Sequence, residues 1–327
     1  MINRPDKNRI SDIIERFNGK KILIVGDIMI DEYLSGKVHR ISPEAPVPIV
    51  EISEEILRFG GAANVALNVK TLGCEPILIG LIGKDRMAEN LDILLQNEDM
   101  ETAGLVQSDI RPTTVKTRII GDNQHIARVD KEILTYADIA EEKALMKKIE
   151  FFIKNADAVI IEDYNKGVLT ENIIEFTIQQ SSLNDIPVSV DPKFVNFMKY
   201  KNVNIFKPNI KETERALARH LDNDQKIIEA GFSLKESLRA ESVLLTRGSR
   251  GMSLFEGNDD VTHIPTQARN VSDVSGAGDT VISTMTAACI AGASKKEAAY
   301  IANIAAGIVV EEVGIIPISK DALLNRA

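Results

Sequence analysis

Ten residues near the end of the chain, VSDVSGAGDT (271–280), hold two glycines, an alanine and two aspartates, and an apolar helical pattern follows over 279–290. Gly276, Ala277 and Gly278 therefore fall at a helix N-terminus. The first N–H groups there lack internal partners, and the helix dipole adds roughly half a positive charge. Small residues let a ligand come close to those amides, which makes an anion hole. Asp279 lies in the same turn, where the dipole favours its ionised form. A carboxylate beside an anion hole can take a proton from a hydroxyl while the amides hold the charge of a group in transfer. That is the chemistry of phosphoryl transfer to an alcohol. A tight turn with a capping aspartate reads the same four residues equally well, so other parts of the chain must decide.

Other phosphate motifs fail. No GxxxxGK[ST] is present, and Val281 stands where GxGxxG needs its third glycine, which disfavours a P-loop protein and a nicotinamide-dependent dehydrogenase. The net charge of -9 argues against a nucleic-acid or membrane-surface binder. Cys74 and Cys289 show no CxxC spacing, and His39, His125, His220 and His263 are scattered, so neither a disulfide framework nor a His-based metal site is expected. The amphipathic N-terminus is not a signal peptide and no apolar run is long enough to span a bilayer, which points to a cytoplasmic protein.

The elements that must hold such a site can be read from apolar runs. KILIVGD, PILIGLIGKD, DAVIIEDY, IPVSVDPK, VNIFKPN and SVLLTRGSRG each end in polar or glycine residues. Such runs are strands buried on both faces of a parallel sheet. Helical patterns fall between them, at 61–72, 86–96, 139–154, 170–183, 211–220 and 224–239. The expected fold is α/β, a doubly wound, mostly parallel sheet in one domain over 1–327. Ligands bind beyond the carboxyl ends of such strands, so the polar endings gather on one edge. Segments 33–59 and 111–130 break the alternation. They read as extra strands forming a small β-structured lid, with a turn at Gly121-Asp122-Asn123. So few strands expose an apolar face, so the lid is expected to cover the site, pair with a second copy, or both.

Several motifs occur together in one order. SDVSGAGDT (272–280), RFGGAANVALNVKTLG (58–73), KPNIKE (207–212) and TRGSRG (246–251) resemble the C-terminal signature, N-terminal signature, Asn-x-x-Glu motif and nucleotide loop of the ribokinase-like (PfkB) sugar kinases. VGDIMIDEYLSG, RISPEAPVPIVEI, EDYNKGVL and VDPK are similar to heptose kinase domains within that family, which phosphorylate D-glycero-D-manno-heptose 7-phosphate at the anomeric hydroxyl. Some relatives carry a fused nucleotidyltransferase; the chain's end at Ala327 implies a stand-alone kinase.

The resemblance implies ATP and Mg²⁺ and assigns roles. Asp279 is the catalytic base, with Gly276, Ala277 and Gly278 as the anion hole. Asp31, Gly60, Gly61 and Asn64 match sugar-binding positions; Asp27 ranks below Asp31. Lys116, Arg118, Arg128 and Lys166, with Arg40, are candidates for the sugar phosphate, because guanidinium and ammonium groups hold phosphate. Asn209, Glu212, Thr246, Gly248, Gly251 and Asn303 fall on the nucleotide side, with Glu212 able to hold Mg²⁺ through water. An outward-facing polar role fits Asn303 equally well. Some relatives imply a monovalent cation such as K⁺ near Asp273 and 311–316. Ser275 replaces a common threonine, and 194–206 lacks a glycine seen in many relatives, which leaves Lys193 without an assigned role. A kinase for another sugar, or an idle sugar- or nucleotide-binding regulator, are the competing readings.

Overall fold

Valine- and isoleucine-rich runs bury both of their faces only if helices cover a sheet on two sides, and the computed structural model has that arrangement. It describes residues 5–312 and 314–326. The chain runs α1 (Lys7–Glu15), β1 (Lys21–Gly26), β2 (Ile28–Ile41), β3 (Pro48–Gly61), α2 (Ala62–Thr71), β4 (Glu75–Ile82), α3 (Arg86–Asn97), β5 (Leu105–Gln107), β6 (Thr114–Gly121) and β7 (Gln124–Lys131). It continues through α4 (Ile139–Ile153), β8 (Ala158–Glu162), α5 (Glu171–Leu183), β9 (Val188–Asp191), β10 (Ile205–Phe206), α6 (Ile210–Leu217), α7 (Asp224–Leu238) and β11 (Ser242–Thr246). The last elements are β12 (Met252–Glu256), β13 (Asp260–Ile264), α8 (Ala277–Ile290), α9 (Lys295–Val309) and α10 (Lys320–Arg326). Each of the six helices expected between the strands is present.

The main sheet has the order β13-β12-β11-β10-β9-β8-β1-β4-β5. Pairing is parallel from β5 to β11 and antiparallel for β12 and β13. Alternate side chains enter two cores. Ile22, Ile24 and Ile160 pack beneath α1, α2, α8 and α9. Leu23, Val25, Val159 and Ile161 pack against α4, α5 and α7. The parallel register sets Gly26 beside Glu162 and Glu162 beside Asp191, so these strands end on one line.

A second sheet, in the order β3-β2-β6-β7, is built from the two segments expected to form a lid. It begins earlier than the pattern suggested, at Ile28, because Ile28, Met29 and Ile30 are buried strand residues following β1 after a single aspartate. β2 and β3 pair antiparallel, and this sets Asp31 opposite Arg58 and Met29 opposite Gly60. The expected turn is present: Asp122 and Asn123 both have positive φ, as a tight two-residue hairpin requires.

The C-terminal helix braces the approach to α8. Arg326 donates to Glu311 at 2.6 Å and 3.0 Å and to the Gln267 carbonyl at 3.0 Å, while the Arg269 amide donates to Glu311 at 2.7 Å. The Arg326 guanidinium, helped by that amide, outweighs burial and holds the Glu311 carboxyl at about 2. Because the folded value lies below the ordinary one, Glu311 stabilises the fold at neutral pH, and this is lost as pH falls toward about 2. The urea midpoint of Glu311→Gln should lie below that of the unaltered protein above about pH 5. That gap should narrow on acidification; a gap independent of pH would contradict the assignment.

Candidate active site

Side chains at i and i+2 of a strand share a face. Glu162 therefore points to the same side as Ile160, and Asp191 to the same side as Ser189, whose hydroxyl accepts from Thr286 of α8 at 2.8 Å. Both carboxylates thus lie under α8, at whose N-terminus Asp279 stands. One oxygen from each of Glu162, Asp191 and Asp279 lies within 4.8 Å of the others, and all three residues are buried. Lys207, just past β10, donates to Asp191 at 2.7 Å. Lys193 donates to Glu212 at 2.9 Å and lies 4.8 Å from the centre of the Tyr164 ring.

Asp279 is 5% exposed. One of its oxygens accepts from Asn64 Nδ2 at 2.6 Å and the other from the Tyr164 hydroxyl at 3.0 Å. The dipole argument favours a low value, yet burial dominates and pushes the carboxyl up to about 6 despite the Asn64 and Tyr164 donors. It is still mostly a carboxylate at neutral pH. Burial also lifts the Tyr164 hydroxyl well above its ordinary range, so it stays a donor. Gly276 adopts the left-handed conformation at φ 76°, and no side chain caps α8. A Cβ at Gly276 would meet Ile315 Cγ2 at 3.2 Å and Asn64 Nδ2 at 3.4 Å. Gly278 lies against Lys207 and Asp191, where a Cβ would stand 3.4–3.5 Å from both. Ala277 completes the turn between them. The GAGD stretch is thus both turn and charged pocket.

On the sugar side, Gly60 packs against Asp31 so closely that a Cβ would lie 2.6 Å from its Oδ2. Gly61 has φ 56° and starts α2, which carries Asn64. Asn64 Oδ1 is buried and has no hydrogen-bond partner among the described residues. Asp27 accepts backbone N–H bonds from Tyr164, Lys166 and Val168 at 2.7, 3.0 and 3.1 Å. That explains its lower rank as a sugar ligand: its carboxylate fastens the loop that presents Tyr164.

Four of the five basic candidates hold acidic partners. Arg118 pairs with Asp31. Lys116 lies 3.4 Å from Asp130 and 3.5 Å from Glu132, and Lys166 lies 2.6 Å from the same Glu132. Arg128 is exposed and pairs with Asp130 at 2.9 Å. Arg40 is exposed, close to the end of β2.

On the nucleotide side, Asn209 and Glu212 form a reciprocal capping box at the start of α6. Both Glu212 oxygens accept protein donors, one from Lys193 and the other from the Asn209 amide. The Thr246 amide donates to Pro208 at 3.0 Å, which fixes the strand end beside Asn209. Gly248 has open space where a side chain would be, whereas a Cβ at Gly251 would lie 2.1 Å from the Ile264 carbonyl. Asn303 is buried and donates to the Pro265 carbonyl at 2.7 Å, so it does not face outward. Asp273 accepts the Ser275 and Gly314 amides at 2.9 and 3.2 Å, and these outweigh burial in holding its carboxyl below the usual range. Within 311–316, Val313 lies outside the described residues. Arg58 donates to the Ile315 carbonyl at 2.8 Å.

Glu162, Tyr164, Asp191 and Lys207 were missed as site residues. Their signal was available: acidic or basic residues closing otherwise apolar parallel strands. A separate cavity of about 310 Å³ opens at the opposite strand ends, against Asp157, Asn204, Glu241 and Lys295, away from these carboxylates.

Residues 19–322 match the pfkB family carbohydrate kinase. The chain belongs to this family. It is therefore a phosphotransferase that acts on a sugar hydroxyl. Curated relatives include the bifunctional protein HldE of Histophilus somni, 40% identical over 314 residues, and that of Nitratiruptor sp., 42% identical over 294 residues. The matches cover 95% and 90% of this chain but 64% and 62% of those proteins, so the chain spans under two thirds of their length. Among solved structures, Arabidopsis thaliana ribokinase complexed with ribose and ATP aligns with a TM-score of 0.74 at 17% identity, covering 94% of this chain and 98% of that one. Escherichia coli phosphofructokinase-2 in complex with fructose-6-phosphate aligns at 0.75 and 18% identity, with the same coverage. These two likenesses concern the fold.

Proposed function

We propose that this chain is an ATP-dependent kinase that phosphorylates D-glycero-D-manno-heptose 7-phosphate at its anomeric hydroxyl. The product is the 1,7-bisphosphate, which would feed ADP-heptose and lipopolysaccharide core synthesis in the cytoplasm. The observation that carries the reading is Asp279, buried at the α8 N-terminus and held by Asn64 from the sugar side and Tyr164 from the strand edge. The bifunctional relatives and the RISPEAPVP stretch support the choice of sugar.

In this reading Asp279 accepts the hydroxyl proton as that oxygen attacks the γ-phosphorus. The bond from phosphorus to the bridging oxygen breaks and ADP leaves. Gly276, Ala277 and Gly278 present amides to the transferring group, whose charge a preorganised site stabilises better than water does. Asp31, Gly60, Gly61 and Asn64 orient the sugar, with Asn64 Oδ1 free to accept a sugar hydroxyl. Asn209, Glu212, Thr246, Gly248, Gly251 and Asn303 shape the nucleotide side. Glu162 has two unpaired carboxylate oxygens beside Asp191, a donor set that suits Mg²⁺. With both oxygens already accepting protein donors, Glu212 would hold Mg²⁺ through water. When bound, Mg²⁺ neutralises phosphate charge. A monovalent cation such as K⁺ near Asp273 is part of the same reading.

The sugar 7-phosphate would take over Lys116, Arg118, Arg128 and Lys166 from the acidic partners they now hold. The lid exposes Ile41, Val47, Ile52, Ile126 and Val129, an apolar face that a second copy of the chain would cover. No helix among the described residues is long and apolar enough to cross a membrane.

ADP release should have its highest kcat/KM with heptose 7-phosphate when compared with fructose 6-phosphate, ribose and adenosine. Asp279→Asn should lower kcat by at least about 100-fold. Faster turnover on another sugar would replace the substrate, and no turnover on any of them would favour a binding protein. Arg118→Ala should raise KM for the phosphorylated sugar by about tenfold and leave KM for ATP within about twofold; equal effects on both would remove Arg118 from the sugar site. Sedimentation should find a dimer that Val129→Glu converts to monomer, and an unaltered protein that sediments as a monomer would contradict the lid interface.

A further inference from the structure

We propose that Lys193 holds the γ-phosphate of the bound nucleotide. The inference rests on the ATP-dependent reading above and adds a residue to it. Lys193 closes the VDPK stretch, two residues past the end of β9. Its Nζ donates to Glu212 Oε1 at 2.9 Å and lies 4.8 Å from the centre of the Tyr164 ring. Tyr164 in turn donates its hydroxyl to Asp279 at 3.0 Å. One ammonium group therefore stands between a residue of the Asn-x-x-Glu motif and the residue that holds the proposed base. In the proposed reaction the γ-phosphorus lies between the same two sides, because ADP leaves from one and the sugar hydroxyl attacks from the other, roughly in line.

Two ammonium groups reach this end of the sheet, and they differ. Lys207 has 4% of its side chain exposed and is bonded to Asp191 at 2.7 Å. Lys193 has 30% exposed, and Glu212 is the one hydrogen-bond partner of its Nζ among the described residues. An ammonium carries three donors, so two remain for phosphate oxygens. The Tyr164 face attracts the charge without consuming a donor. A lysine stem is flexible, and the ring and Glu212 together fix its head before a nucleotide arrives. A charge placed in advance costs no reorganisation during the reaction. The need for it follows from the surroundings. Glu162, Asp191 and Asp279 crowd their carboxylates together under α8 and would repel a phosphoryl group. The amides at Gly276–Gly278 oppose this with partial charges only, whereas Lys193 brings a whole one.

The test compares two nucleotides that differ at the γ-position. The full chain is titrated calorimetrically with ADP and with β,γ-imido-ATP, in Mg²⁺ and without sugar. Lys193→Met should weaken the triphosphate analogue by at least about tenfold and leave ADP within about twofold. Retained ADP binding shows at the same time that the variant is folded. Lys193→Gln keeps a donor for Glu212 but not the charge, and it should show the same selective loss, whether or not the methionine variant folds. Lys193→Arg should recover most of the affinity for the analogue. Equal losses for both nucleotides, or no loss for either, would overturn the proposal and leave Lys193 as a tie between β9 and α6. The kinase reading would survive that result, since the unaltered protein would still bind both nucleotides. Failure of the unaltered protein to bind either nucleotide would overturn both.

Discussion

The hydrogen bond from Asn64 to Asp279 joins residues from opposite ends of the chain, and the site depends on it. It belongs to a polar seam between α2 and α8. Thr280 donates to Asn68 at 3.0 Å, and Ser283 donates to the Val65 carbonyl at 3.3 Å. Asn68 also receives the Ile318 amide at 3.1 Å, so the C-terminal segment is tied to the same helix. Buried polar contacts of this kind are costly to leave half made, so they fix the relative position of the two helices. α2 begins at Gly61 beside the lid, and α8 begins at Gly276. Locking one to the other sets the distance between Gly60 and Gly61, proposed to bind the sugar, and the proposed anion hole at Gly276–Gly278.

Electrostatics impose the second constraint. Two strand-end carboxylates, Glu162 and Asp191, converge with Asp279 under one helix terminus, and among the described residues Lys207 is the one cation bonded to any of the three. Burial, together with the nearby Asp191 charge, lifts Asp279 to about 6 and not below its ordinary range. In the role proposed for Asp279 the higher value would be useful, because a base whose value lies near the working pH transfers protons more effectively than a strongly depressed one. The lid repeats the balance on its own surface. Asp130 and Glu132 pair with lysines and an arginine that would otherwise repel one another while no sugar phosphate is present.

The sheet, its helices and the lid turn were legible because their signals are local: unbroken apolar runs, helical periodicity and a Gly-Asp-Asn turn. The GAGD site was legible as a pairing of turn and carboxylate. Tyr164 was not, since its importance comes from Asp27 gathering three amides of the 164–168 loop, a contact across more than a hundred residues. Glu162 was hidden for a similar reason. Only the register of β8 against β9 sets it beside Asp191. The pairing of Lys116 and Lys166 was also invisible, because it joins β6 and the 164–168 loop to a loop residue, Glu132, that no periodic pattern marks.

The central claim is that Asn64 acts through Asp279, so that the two residues form one unit. A double-mutant cycle on kcat at saturating sugar, where loss of the Asn64 sugar contact falls on KM, with Asn64→Ala, Asp279→Asn and the double variant tests it most directly. Each single change should slow the enzyme, and the double variant should be within about twofold of Asp279→Asn alone, because Asn64 would have no carboxylate left to position. Losses that multiply independently would contradict the account.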